Sequence, residues 1–340
     1  MATLRLARHA MATRFEIVLY GDNPVSLRAA GEEALNEIER LEAQLSLFKP
    51  ASEISRVNAG AAYAPVRVSP PVFRLLQRAQ HLTRETDGAF DVTVAPLMQC
   101  WGFLGGPGKR PEPAAIAQAR DRVGMHRVHL DEASLTVRFE KPEMMLDLGA
   151  IGKGYAIDCA VECLQDAGVQ NALIHGGTST AYGIGSAPDD NGWQIAIASP
   201  ATMKQKAAEQ IQALSVVPGQ PIQPKTQVVE EKPFAVVALR DSSLSVSAVW
   251  GKFFHSDGRN FGHIIDPRSG EPAALAVLSA VVSPSATETD ALSTALLTVG
   301  PEGHQRIAAL RPELKALVVA ESGDAYDIRT KGIAVEISKS

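Results

Sequence analysis

Two short stretches far apart in the chain hold the ingredients of phosphate chemistry. They are Asp147-Leu-Gly-Ala-Ile-Gly-Lys-Gly-Tyr-Ala156 and Glu288-Thr-Asp-Ala-Leu-Ser-Thr-Ala295. In the first, Gly149, Gly152 and Gly154 let backbone approach a ligand closely. The turn reads as lying between a strand and a helix, so its amides and the helix N-terminus favour an anion, and Lys153 adds a point charge. In the second, Asp290 and Thr294 stand four apart on a helix and share a face. An oxygen-only pair suits Mg²⁺, which takes few protein ligands and relies on water and phosphate for the rest. Phosphate with a divalent metal is the chemistry of phosphoryl transfer. The glycine turn is not a Walker loop, because Gly154 follows the lysine where Ser or Thr belongs, and its G-x-x-G-x-G order is not the dinucleotide fingerprint. Taken singly, each stretch also reads as plain structure: a tight strand-helix turn, and a carboxylate that favours a helix N-terminus.

Two further stretches carry chemistry-bearing side chains. In Gly262-His-Ile-Ile-Asp-Pro-Arg-Ser-Gly270 a strand-like run ends in a proline turn. His263 is a candidate base there, and Arg268 a candidate phosphate fork. Asp266 reads either as the group orienting His263 or as a turn residue. Thr86 to Phe103 places small residues and the carboxylates Asp87 and Asp91 beside Trp101 and Phe103, a set that either walls a flat heterocycle or packs a core.

The elements that must position these residues follow from hydrophobic period. Strands are predicted at Thr13–Tyr20, Met144–Leu148, Asn171–Ile174, Tyr182–Ile184, Trp193–Ala198, Phe234–Leu239, Leu244–Ser247 and Leu275–Val282, with a hairpin over Val128–Phe139. Helices are predicted at Val25–Leu45, Val72–Thr86, Ala114–Arg122, Tyr155–Asp166 and Ala286–Val299. The last has capping-box spacing at Ser285 and Glu288 and a glycine stop at Gly300. Ser46–Asn58 reads as a polar loop, and 201–232, rich in Gln, Lys, Glu and Pro, as a mobile surface insertion. Helices and strands intermix without strict βαβ alternation, which favours an α+β fold.

Composition sets the outer limits. The chain has 340 residues, 45% hydrophobic and 21% charged, with a formal net charge of -5. That is ordinary for a globular enzyme with a sizeable core, and it offers no basic field for nucleic acid. Cys100, Cys159 and Cys163 give no disulfide framework. No run of about 18 apolar residues predicts a membrane span. The N-terminus shows no long apolar signal region and no lipobox cysteine, so as given the chain reads as cytoplasmic, or periplasmic if a signal has been removed.

These four stretches, in this order and starting from His9-Ala-Met-Ala-Thr-Arg-Phe15, resemble the ApbE family of flavin transferases over nearly the whole chain. The resemblance implies one ApbE-like α+β domain over 1–340, with largely antiparallel sheets flanked by helices and an FAD cleft between two lobes. It implies Mg²⁺-dependent transfer of FMN from FAD, through phosphate, to a threonine or serine hydroxyl of an acceptor protein, with AMP leaving. The same site with water as nucleophile would be an FAD pyrophosphatase, and without catalysis an FAD-binding protein. Position by position, the Asp290 and Thr294 side chains and the Ala150 carbonyl resemble metal ligands. Met11 and Phe48 match positions flanking the isoalloxazine, and Ala89, Phe90 and Asp91 a nucleotide-contacting segment. Asp147, Lys153 and Ile265 match further FAD-contacting positions, and His263 is the expected base. The chain departs from the family pattern at Thr178, where an acidic or amide residue is usual, at Ser247-Ala248-Val249-Trp250, where Ser-Gly and a polar residue are typical, at Phe48, where tyrosine is common, and at Ser293, where some members carry an extra acid.

Overall fold

The computed structural model describes residues 2–205, 233–256, 258–323 and 325–336. Its centre is an eight-stranded sheet in which every pairing is antiparallel. In spatial order the strands are β1 (Ala2–Ala10), β2 (Thr13–Gly21), β6 (Asn171–Gly176), β7 (Thr180–Ile184), β10 (Ser242–Ala248), β13 (Leu278–Ser283), β14 (Lys315–Ser322) and β15 (Ala325–Lys331). Helices α1 (Pro24–Leu45), α6 (Gly152–Asp166) and α7 (Ala286–Ala308) cover one face. The hairpin of β8 (Trp193–Ile197) and β9 (Ala235–Leu239) covers part of the other. The two-sided cover explains β13, whose six residues are all buried. Val281 joins the core under the helices, while Leu278, Ala280 and Val282 join the core under the hairpin. A strand buried on both faces has no polar side to alternate with.

The elements α2 (Glu53–Gly60), α3 (Pro70–Glu85) and a three-stranded sheet of β3 (Val66–Arg67), β5 (Thr136–Phe139) and β4 (Val128–Asp131) share one apolar core cluster with α1, α6 and α7. A separate apolar cluster joins α4 (Ala95–Cys100) and α5 (Pro113–Arg120) to the hairpin of β11 (Phe253–Ser256) and β12 (Arg259–Gly262), around Leu97, Trp101, Ile116 and Phe261. Among the described residues no helix is long and apolar enough to cross a membrane, and all three cysteines are free.

Several expectations are corrected. The polar run Ser46–Asn58 is not all loop, because Ser52 caps α2 by accepting from the Ser55 amide at 2.9 Å. Met144–Leu148 is extended but joins no ladder. Its backbone is held by the Asn58 side chain, which accepts from Leu146 N at 2.7 Å and donates to Leu146 O at 3.0 Å. The strand expected from Leu275 begins at Leu278. His263–Ile265 carries no regular strand, only a bridge between Ile265 and Pro272. Gly300 does interrupt its helix, at φ 65° and ψ -163°, but Pro301 opens a further helical run to Ala308. Of the expected insertion, 201–205 extend a helical turn from 200, and the rest lies outside the described residues.

What fixes α7 is a carboxylate from α6. Asp158 Oδ1 accepts from Ala286 N at 2.7 Å, and Oδ2 accepts from Thr287 N at 2.9 Å, Thr287 Oγ1 at 2.6 Å and Ser285 Oγ at 2.8 Å. Ser285 Oγ in turn accepts from Glu288 N at 3.3 Å and from Arg78 Nη2 at 2.7 Å. Asp158→Ala is expected to lower stability by about 2–3 kcal/mol, since it removes an anion and several bonds at a helix N-terminus. A shift of the urea midpoint at constant slope checks this.

Candidate functional site

Reciprocal contact between α6 and α7 builds the site. Gly154 N, in the first turn of α6, donates to Asp290 Oδ2 on α7 at 3.1 Å, joining positions 136 residues apart in sequence. A side chain at Gly154 would run into the Ala286 carbonyl and come within 2.9 Å of the Asp290 Cβ. Glycine is required there by close approach. Lys153, one residue earlier, donates to Gly149 O at 3.0 Å and stands 3.7 Å from Asp290 Oδ1. Asp290 is 5% exposed, so its charge is paired rather than solvated.

Around this pair opens a cleft of about 720 Å³. Ten of the sequence-predicted site residues line it: Ala89, Phe90, Asp91, Asp147, Ala150, Lys153, His263, Ile265, Asp290 and Thr294. Two do not. Met11 sits in the β1–β2 turn at φ 50°, its amide donating to Glu42 Oε1 at 2.8 Å. Phe48 is 71% exposed on the loop after α1. Neither is in the lining.

The carboxylates have separate tasks. Asp91 Oδ1 accepts from Thr93 N at 2.8 Å and Thr93 Oγ1 at 2.6 Å, and Oδ2 accepts from Met125 N at 2.9 Å. Burial nonetheless pushes its pKa up from the usual carboxylate value. Asp91 thereby holds the cleft wall in shape. Asp147 accepts from Gly149 N at 2.8 Å and shapes the glycine turn; burial raises its pKa too, against the pull of Gly149 and Lys153.

His263 is half-buried, its ring edge-on to Phe103 at 6.5 Å between centroids. Its Nδ1 lies 3.0 Å from the Lys252 carbonyl. A carbonyl only accepts, so Nδ1 carries the proton and Nε2 of the neutral ring is left with its lone pair. Burial lowers the imidazole pKa, helped by the charges of Lys153 and Lys252. Asp266 plays no part in orienting it: both carboxylate oxygens are taken by Arg268, through its amide at 2.9 Å and its guanidinium at 2.9 and 2.7 Å. Asp266 is a turn residue, and the Arg268 fork expected for phosphate is committed to it.

Residues with oxygens suited to a hard cation line the same cleft. Thr294 Oγ1 donates to Asp290 O at 3.1 Å, which leaves its lone pairs available. Asp290, Thr294 and Ala150 all line the cleft, and the Lys153 ammonium already stands beside the carboxylate. A carboxylate, a hydroxyl and a carbonyl fit Mg²⁺. Among the described residues no group of three or more His, Cys, Asp or Glu side chains is placed to hold a metal ion.

The lining includes residues that sequence reasoning did not assign. Thr178, Ser247, Ala248 and Trp250 had been noted only as departures from a pattern. Met98, Ala198 and Met203 carried no signal, because small and apolar residues in a lining look like any core residue.

The comparisons with known proteins agree with this architecture. The ApbE family model matches residues 11–318. The FAD:protein FMN transferase of Haemophilus influenzae is 30% identical over 318 residues, covering 90% of this chain and 83% of that one. That of Treponema pallidum is 29% identical over 327 residues, covering 92% and 83%. Among solved structures, the apo form of the Pseudomonas stutzeri flavinyl transferase ApbE superposes with a TM-score of 0.78 at 26% identity, covering 97% of this chain and 94% of that one. The ApbE protein of Thermotoga maritima gives the same TM-score at 24% identity, covering 99% and 97%. Fold and cleft thus define an α+β enzyme of the transferase class. The chain belongs to the ApbE family.

Gly154→Ala tests the close approach. It is expected to push α6 from α7, costing about 1–3 kcal/mol, an overpacking cost. Flavin binding should weaken in the same variant, as read by quenching of flavin fluorescence.

Proposed function

We propose that this chain transfers FMN from FAD, through a phosphoester, to a threonine or serine hydroxyl of an acceptor protein and releases AMP. The observation that carries the proposal is the meeting in one cleft of Lys153, Asp290 and an imidazole with its Nε2 lone pair available. The names of the relatives support the same reading.

In this reading the flavin dinucleotide occupies the cleft, with its pyrophosphate against the glycine turn. Lys153 faces the phosphate oxygens as a fixed positive charge. Asp290, Thr294 and the Ala150 carbonyl would hold Mg²⁺, which would supply positive charge to the pyrophosphate oxygens and the leaving AMP. Nε2 of His263 takes the proton of the acceptor hydroxyl as its oxygen attacks the phosphorus of the FMN half. The bond to the AMP phosphate oxygen breaks, and AMP departs with that oxygen. Asp147 and Asp91 keep the turn and wall in place without exchanging protons with the substrate.

The direct test mixes the protein with FAD, Mg²⁺ and an acceptor bearing a Ser/Thr-Gly-Ala-Thr site, and reads flavin fluorescence in a denaturing gel. A covalent flavin band that EDTA abolishes is the expected result. Free FMN and AMP formed equally fast without acceptor would instead assign a pyrophosphatase. Asp290→Asn keeps an acceptor for Gly154 N but removes the charge; turnover should fall by at least about 100-fold while the protein stays folded.

The pH dependence follows from His263. Only the neutral ring accepts a proton, and burial holds its pKa below the ordinary 6.5. Turnover should therefore persist on acidification past 6.5 and be lost only as pH falls through the depressed value. His263→Ala should lower the rate by roughly 10²–10⁴-fold and erase that acid limb. An acid limb unchanged in the variant would assign the base elsewhere.

A further inference from the structure

Beside the reactive cleft lies a second, smaller groove of about 370 Å³. It draws on Val249 and Trp250, on Phe253 and Phe261 of the β11–β12 hairpin, and on Pro272 and Ala274 beyond it. Trp250 lines both cavities. Close approach marks the boundary: a side chain at Gly262 would come within 3.0 Å of Val249 O, and one at Gly251 within 3.3 Å of His263 Cε1.

Chain direction ties the groove to the chemistry. β12 ends at Gly262, which lines the groove, and the next residue, His263, lines the cleft. Among the described residues β11 and β12 pair only with each other, so the hairpin keeps an edge without a ladder partner. Such an edge is suited to an added extended segment. The groove is apolar, and Arg259 places a cation on its rim. Arg259 is exposed and lies over the Phe261 ring at 5.8 Å. Ala274 is exposed as well.

The geometry points to this groove as the docking surface for the acceptor protein. Its occupant is an extended acceptor segment, apolar where it meets the rings and acidic in its flank, laid along the hairpin so that its hydroxyl reaches His263. The inference rests on the transferase reading, because only a protein acceptor needs a track outside the nucleotide cleft. Continuity at Trp250 and at the Gly262–His263 step selects this groove. The more polar depression beside it, lined by Lys109, Glu112 and His255, shares no residue with the cleft.

The test uses the whole chain with FAD and Mg²⁺, and a fluorescein-labelled synthetic peptide carrying Ser-Gly-Ala-Thr between acidic residues. Anisotropy reads peptide binding, flavin fluorescence reads FAD binding, and gel fluorescence reads transfer. Arg259→Glu and Ala274→Glu, both at exposed positions, are expected to weaken the peptide Kd and raise its KM at least about tenfold. FAD affinity should stay within about twofold, and Arg259→Lys should keep peptide binding within about threefold of the unmodified protein. Unchanged peptide binding in both glutamate variants overturns the assignment. So does an equal loss of FAD affinity, which would make the groove part of the nucleotide site. Self-association seen by sedimentation and abolished by the same variants would make the occupant a second copy, and also overturns it. Peptide binding that depends on the groove without any covalent flavin would retain the docking surface and sink the transferase reading alone.

Discussion

The structure depends on two helix N-termini that cap each other. Asp158 of α6 gathers the first amides of α7, and Asp290 of α7 accepts the Gly154 amide in the first turn of α6. Two positive helix ends at such close quarters would repel; a carboxylate from each helix, set at the start of the other, removes that penalty. Gly154 is the geometric condition, since any side chain there would meet the Ala286 carbonyl. The rest of the site hangs from this crossing. Lys153 rides on the first turn of α6, with Ala150 in the turn just before it, and Asp290 and Thr294 ride on α7, so the separation of Lys153 from Asp290 is set by helix packing.

The same helix meets the sheet through hydroxyls. Ser245 Oγ lies 2.8 Å from Thr289 Oγ1, Ser247 Oγ lies 2.9 Å from Ser293 Oγ, and Ser279 Oγ donates to Ser293 O at 2.7 Å. Small side chains let α7 lie close to β10 and β13, and their hydrogen bonds are made to one another, so no buried donor is stranded. Ser247 Oγ also reaches Thr294 Oγ1 at 3.5 Å, so this polar seam ends at the cleft. The seam fixes the height and rotation of the helix that presents Asp290.

This seam also shows where the sequence was readable and where it was not. The helices α1, α3, α6 and α7 were legible because their apolar positions recur at helical period, and α7 also because Ser285 and Glu288 have capping-box spacing. The meeting of the ordered motifs was legible: Asp147, Gly149, Ala150, Lys153, His263, Asp290 and Thr294 line one cleft. β10 was legible as a strand, but nothing in the sequence said which way its serines face: Ser243, Ser245 and Ser247 point into the helix layer. β1, β14 and β15 were not assigned: Ala316–Val319 of β14, an interior strand, are buried without alternation, and β15 is a largely exposed edge strand; the β11–β12 hairpin escaped because its aromatics pack on Trp101, far away in sequence. Met11 and Phe48 were placed by resemblance alone, without a physical signal of their own, and the cleft lining does not include them.

The order of the strands has a consequence for how the chain reaches this state. β2 pairs with β1 through a tight turn, but its other neighbour is β6, which begins at Asn171. During synthesis the first hairpin therefore waits, with one apolar edge uncovered, until about half of the chain has emerged. Phe15, Ile17 and Leu19, all fully buried in the end, must meanwhile be sheltered by α1 alone. Contacts of such long sequence separation slow folding and lengthen the exposure of a strand edge. For this chain, yield in a cell should be governed by the time before β6 arrives, more than by the strength of the finished core.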